Sequence, residues 1–365
     1  MTVEERVLTA LRCQQPDRVP IFLFLDPYTS NWATNEPSYD ELMKYAAEYT
    51  DVVYDSGFSG GFFYCPDVKV ENVTLEDGQV EQCVETPKGR LSCGRGQMNR
   101  WIKTKEDVEK LLSIPYHPVE PDLSTFFQTK SILGDKVVAQ VTLSDPICIA
   151  GMICPESLAI WTKTDREMLI ELLDVTFERI YHQLDYLLHN GVGPIYYFNG
   201  PEFAIPPLMS PHDFDEFVVK YDSQLIAKIH EYGYLTIIHS HGKVNNFLEK
   251  FAFDIGTDGL NVLEPPPMGD VDLADAKRRI GHHTCLIGNI QYDDFARCSK
   301  DEIEQLVKAS ISKAGPGGGF ILCPCAAPYE RPIPKKTADN FIHYIKMGRK
   351  YGEYPIDCGV NDTEL

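Results

Sequence analysis

The chain has 365 residues, with 54 Asp and Glu against 34 Lys and Arg, a formal net charge of -20. No long basic run interrupts the acidic excess, which argues against nucleic-acid binding because phosphate neutralisation needs clustered Lys and Arg. The charge reads as a solubility feature that also suits a partner protein with a basic patch. The start, Met1-Thr2-Val3-Glu4-Glu5-Arg6, carries no export signal, and no segment reaches about 18 uncharged apolar residues. The expectation is a cytoplasmic protein, with no membrane contact, whose 11 Cys are reduced thiols.

In chain order, Val19 to Leu25 (VPIFLFL) is a short apolar run and reads as a buried strand. Ser38 to Tyr49 has helical spacing, with Ser38 as the expected N-cap. Val52 to Tyr54 reads as a short second strand. Residues 66–103 alternate in polarity between turn signals, including Glu76-Asp77-Gly78 and Gly94-Arg95-Gly96, and read as a β-hairpin insertion. Strands are then predicted at Lys136–Leu143, Pro194–Phe198, Tyr234–His239, Gly259–Leu263, Cys285–Ile290 and Gly319–Cys323. Helices are predicted between and after them at Asp165–Asn190, Pro211–Tyr232, Val244–Phe251, Leu273–Arg279, Lys300–Ala314 and Ala338–Tyr351.

Such alternation implies a parallel sheet with right-handed crossovers, closed as a (β/α)8 TIM-type barrel. An open doubly wound sheet usually has a Gly-rich turn after its first strand, and none is present. The expected organisation is one domain over residues 1–352 and a polar tail over 353–365.

In a barrel the chemistry sits at the C-terminal ends of the strands. The residues there are Asp26, Asp145, Asn199 with Glu202, His239 with His241, Glu264, Asn289, and Cys323 with Cys325. Residues two apart on an extended strand end face one side, so His239 and His241 can grip one cation. A thiolate from the last strand supplies a third ligand, leaving an open position as in catalytic zinc. Glu202 is a fourth ligand or a base beside the metal. Asn199, Glu202 and Asp145 are candidate catalytic residues; Asp26, Tyr197 and Asn289 are candidate substrate contacts. Each also has a plain structural reading. Asp145 before Pro146 can start a turn, Asp26 can cap the next segment, and Asn289 can satisfy backbone in a loop. One of Tyr196 and Tyr197 must face away from the barrel axis. Glu264 either orients a ligand imidazole or forms the lip of a proline turn.

Several segments, in order across nearly the whole chain, resemble the uroporphyrinogen-decarboxylase superfamily. They are Glu4 to Pro20 (ERVLTALRCQQPDRVP), Pro207 to Tyr221 (PLMSPHDFDEFVVKY), Ile237 to Gly242 (IIHSHG), Gly288-Asn289-Ile290 and Gly317 to Pro328 (GGGFILCPCAAP). Decarboxylases of that superfamily carry an Arg-rich segment after the first strand for the substrate's carboxylates. Phe24-Leu25-Asp26-Pro27-Tyr28 has no Arg, which speaks against a decarboxylase-like lyase. The resemblance is to the zinc-dependent branch that works with corrinoid (cobalamin) proteins. It implies Zn2+ on His239, His241 and Cys325, with Cys323 and Glu202 as alternatives. It also implies a corrinoid-binding partner protein and a small-molecule methyl donor or acceptor. His241 stands where the coenzyme M-methylating members have Cys; imidazole for thiolate makes a stronger Lewis acid and favours a methoxylated substrate, as in O-demethylases. Methyl transfer to a thiol or a folate is the alternative, and a catalytically silent tetrapyrrole- or cobalamin-binding protein is a further one. Oligomeric state is left open, a homodimer included.

Overall fold

The computed structural model describes residues 1–58, 60–76, 78, 80–94 and 101–356. The apolar runs form a parallel sheet of 7 strands. They are β1 (Val52–Gly57), β5 (Val137–Ser144), β6 (Ile195–Asn199), β7 (Leu235–Ser240), β8 (Gly259–Val262), β9 (Cys285–Ile290) and β10 (Phe320–Pro324), paired in that order. Three shorter strands, β2 (Val70–Thr74), β3 (Val80–Thr86) and β4 (Gly89–Gly94), form a separate antiparallel sheet within the expected insertion. The turn expected at Gly94-Arg95-Gly96 lies partly outside the described residues.

The expected first strand over 19–25 is reduced to a single bridge, yet it closes the ring. Ile21 pairs in parallel with Leu322 of β10, and Ile21 O accepts from Asp51 N beside β1 at 2.9 Å. The buried Asp51 carboxylate fixes this seam. It accepts from Ile21 N at 2.9 Å, from Arg18 Nη1 at 2.6 Å and from Arg6 Nη1 at 2.8 Å. The seam segment and the 7 strands thus enclose a barrel.

Strand parity separates two cores. Ile195, Leu235, Ile237, Cys285, Ile287 and Ile321 point inward and pack with Val7, Ala10 and Leu11 of the N-terminal helix α1 (Val3–Leu11), which plugs the bottom of the barrel. The alternate residues, such as Tyr196, Phe198, Ile238, Phe320 and Leu322, point outward against the helices. Arg166–His189 shows why those helices form: Leu169, Leu172, Leu173, Ile180, Leu184, Leu187 and Leu188 are buried at helical spacing along one face.

Three local expectations are corrected. Ser38 is not a helix N-cap. It lies in a turn of 3-10 helix, Pro37–Tyr39, capped by Glu36, ahead of the helix Asp40–Tyr49. Pro211–Tyr232 is not one uninterrupted α-helix, since a π-turn at Asp215–Val219 divides it. The start of the expected tail packs back on the barrel: Glu353 bridges to Arg18, and Tyr354 OH donates to Gly315 O at 2.9 Å. Residues 357–365 of that tail lie outside the described residues.

Candidate active site at the barrel mouth

The strand ends surround a cavity of about 580 Å3. Inward parity brings Tyr197 and Asn199 of β6, His239 of β7, Asn261 of β8 and Cys323 of β10 to its wall, with His241 and Cys325 just past their strands. Phe22, Phe24 and Asp26 from the seam segment, Asp55 of β1, and Gln140 and Thr142 of β5 line the rest.

Two imidazoles dominate the geometry. Asn261 is buried, and its Nδ2 donates to Ile287 O at 3.1 Å, so its Oδ1 faces the neighbouring ring as an acceptor. That oxygen lies 2.7 Å from His239 Nδ1 and accepts from Tyr197 OH at 3.0 Å. On the far ring, His241 Nδ1 lies 3.1 Å from Glu264 Oε1, while Glu264 Oε2 accepts from Gly242 N at 2.7 Å. This network assigns each Nδ1 as the protonated nitrogen. The two Nε2 atoms then face each other 3.0 Å apart.

The electrostatics make the rings unequal. Burial, then the neighbouring His241, lowers the His239 pKa to about 4. Hydrogen bonding to Glu264 raises that of His241. With no metal bound, a proton between the two Nε2 atoms is therefore favoured on His241 over His239. Burial pushes the Cys323 and Cys325 thiols up as well, so either one becomes a thiolate only beside a compensating positive charge.

The residues fit part of a metal centre. Two nitrogen ligands on a tetrahedral zinc stand about 3.3 Å apart, close to the separation here. Each ring's other nitrogen is already held by an amide or carboxylate oxygen, as metal-bound histidines usually are. Cys325 lines the same cavity, but its thiol donates to a backbone oxygen, Val262 O, at 3.9 Å. Among the described residues no group of three or more His, Cys, Asp and Glu already has ligand geometry.

The other predicted residues divide. Tyr197, Asn199 and Asp26 reach the cavity. Asp26 also caps its own loop, accepting from Tyr28 N at 2.8 Å and Thr29 Oγ1 at 2.7 Å. Asp145 does not line the cavity: it is fully buried, and Oδ1 caps the helix Pro146–Ile153 by accepting from Cys148 N at 2.6 Å. Asn289 does not line it either. Its amide spans Leu263 O and Ser310 Oγ, the latter on the outer helix Lys300–Ala314. Glu202 sits behind the wall on the turn Pro201–Ala204, its Oε2 buried without a partner. Burial raises its pKa and the nearby His241 opposes that rise. Tyr196 faces outward and donates to Val192 O at 2.8 Å.

Sequence reasoning missed Asp55, Gln140, Thr142 and Asn261. All four lie within strands, not after them, and parity counted from a neighbouring inward residue would have found each one. Asp55 Oδ1 accepts from Thr142 Oγ1 at 2.5 Å and from Gln140 Nε2 at 3.2 Å. Burial raises the Asp55 pKa although its carboxylate is accessible within the cavity.

The barrel is the fold of a known family. The chain belongs to the uroporphyrinogen decarboxylase (URO-D) family, whose profile matches residues 94–337. Among solved structures it is similar to a methyltransferase from Methanosarcina mazei. That match has 17% identity and a TM-score of 0.60, and it covers 96% of this chain and 99% of the other. It is more distantly similar to a B12-independent methionine synthase from Shewanella sp. W3-18-1, with 10% identity and a TM-score of 0.45, covering 77% of this chain and 74% of the other. The likeness to the Methanosarcina mazei structure shows a common fold. No curated protein sequence matches the chain. None of its helices among the described residues is long and apolar enough to cross a membrane.

Proposed function

We propose that the chain is a metal-dependent methyltransferase that moves a methyl group between a small molecule and a corrinoid carried by a partner protein. The observation that carries this reading is the pair of Nε2 atoms facing each other 3.0 Å apart at the cavity wall. Their opposite nitrogens are held by Asn261 and Glu264, which leaves the two Nε2 atoms to take one cation in place of the proton between them. His239, His241 and Cys325 would hold the metal, taken as zinc, with Cys323 and Glu202 as the alternative ligands. Zinc there supplies Lewis acidity toward the heteroatom that bears the methyl group, and the corrinoid supplies the cobalt that exchanges it. Nitrogen-rich ligation favours an oxygen-bound methyl, as in a methoxylated compound, over a thiol or a folate.

The remaining work belongs to the chain's own side chains. Asn261 and Glu264 fix the tautomers of the two rings and hold their planes. Asn199, hydrogen-bonded in register beside His239, is placed to orient the substrate. Phe22, Phe24 and Tyr197 exclude water from the inner wall. The absence of any Lys or Arg from the described lining supports methyl transfer over decarboxylation of a polycarboxylate, which would need several cationic partners.

The test is a cobalt assay. The purified zinc-loaded protein is mixed with reduced cobalamin and a methoxyaromatic compound, and methylcobalamin formation is followed by its absorbance. Formation that is lost in His239→Ala supports the proposal. Transfer only from methylcobalamin to thiols would reverse its direction. Transfer in neither direction would refute it.

A further inference from the structure

The small molecule remains to be classified, and the charge of the cavity bears on its class. Two carboxylates, Asp26 and Asp55, line the cavity, and no Lys or Arg does so among the described residues. Neither carboxylate forms an ion pair there: the described salt bridges of the chain involve other acids. Asp26 is occupied by its own loop, with three hydrogen bonds from Tyr28 and Thr29. Asp55 differs. It is accessible inside the cavity, and the groups that hydrogen-bond it, the amide of Gln140, the hydroxyl of Thr142 and the backbone N–H of Ser56, are all uncharged. It lines the cavity together with Tyr197, whose hydroxyl lies 2.5 Å from His239 Nδ1. The carboxylate and the imidazole pair therefore belong to one chamber. The aromatic rings of Phe22, Phe24 and Tyr197 line the same cavity. Phe24 meets the His239 ring edge to face at 6.0 Å. Arg331 lies at the ring of Trp32, 4.1 Å from its centroid, but does not line the cavity.

A carboxylate with little local compensation, facing a chamber walled by aromatic rings, is the environment that recognises an organic cation. An anionic group set beside Asp55 would meet its repulsion, with no Lys or Arg in the described lining to offset it. We propose that the small-molecule substrate carries an ammonium or quaternary ammonium group, which Asp55 and the aromatic wall hold, while its reacting end lies toward His239 and His241. This rests on the reading of the cavity as the substrate site of the methyltransferase. It excludes sulfonated thiols and polyglutamylated folates as the natural partner molecules.

The test is calorimetric titration of the full-length protein with three probes. They are choline, its uncharged isostere 3,3-dimethylbutan-1-ol, and the anionic 2-sulfanylethanesulfonate. Choline is expected to bind about tenfold or more tighter than the isostere, and the sulfonate weakest of the three. Asp55→Asn is expected to bring choline to within about threefold of the isostere, with thermal unfolding confirming a native fold. Choline binding no tighter than the isostere overturns the proposal, as does sulfonate binding tighter than choline. A choline preference unchanged in Asp55→Asn overturns the assignment to Asp55. Failure of the cobalt assay with this charge preference intact would remove the methyl-transfer reading alone.

Discussion

Replacing Asp222 by Asn should stabilise the protein, and more so as pH rises. Asp222 on the helix Lys220–Glu231 and Asp145 at the end of β5 are both buried. Neither oxygen of Asp222 nor Oδ2 of Asp145 has a hydrogen-bond donor, so a proton shared by the two carboxyls must supply one. Burial raises the Asp222 pKa from 3.8 to about 8. Burial, then repulsion from Asp222, raises that of Asp145 as well. The folded state therefore holds a proton that the unfolded chain releases above its ordinary carboxylate pKa. Folded protein binds more protons than unfolded throughout that window, so its stability falls as pH rises through it. At about 1.4 kcal/mol per unit, the penalty grows by at most about 4 kcal/mol between roughly pH 5 and pH 8. Asn carries no such penalty, and its NH2 can donate to Asp145. Urea denaturation of parent and Asp222→Asn at those two pH values measures the difference. A gain that widens toward pH 8 is expected. A variant less stable than the parent at pH 8, or an offset independent of pH, would refute the shared proton.

The remaining predictions concern the seam and the imidazole supports. Asp51→Asn should cost about 3–5 kcal/mol in urea denaturation, because Arg6 and Arg18 lose their buried partner; a loss under about 1 kcal/mol would show that the seam does not depend on it. Glu264→Gln should weaken zinc binding about 10–100-fold in a chelator competition, by releasing the His241 ring; an unchanged affinity would mean that the carboxylate does not orient it. Asn261→Ala should cost about 2–3 kcal/mol, since three buried hydrogen bonds go, and should also weaken zinc binding; a loss of stability with full affinity would give Asn261 a purely structural role.

The strands were legible because a parallel sheet buried on both faces leaves continuous apolar runs, as in β5 and β9. The seam segment was legible as apolar but not as a single bridge, because its pairing depends on Asp51 and the two arginines. The helix Pro146–Ile153 escaped notice because all but one of its residues are buried and it shows no amphipathic period. Its real signal was Asp145 as N-cap before Pro146 at the first helical position. At the site, His239 and His241 were readable from their spacing. Asn261 and Asp55 were not, because they are polar residues inside strands and only parity shows that they face the axis. Asn289 was proposed from its place at a strand end, which does not show that its side chain turns to Ser310 on the outer helix.

Zinc analysis of the purified chain beside His239→Ala and His241→Ala tests the whole proposal most directly. One zinc per parent chain is expected, with each substitution weakening its binding by orders of magnitude while the fold survives. A parent chain that takes up no zinc, or two variants that keep it fully, would show that the facing imidazoles are not metal ligands.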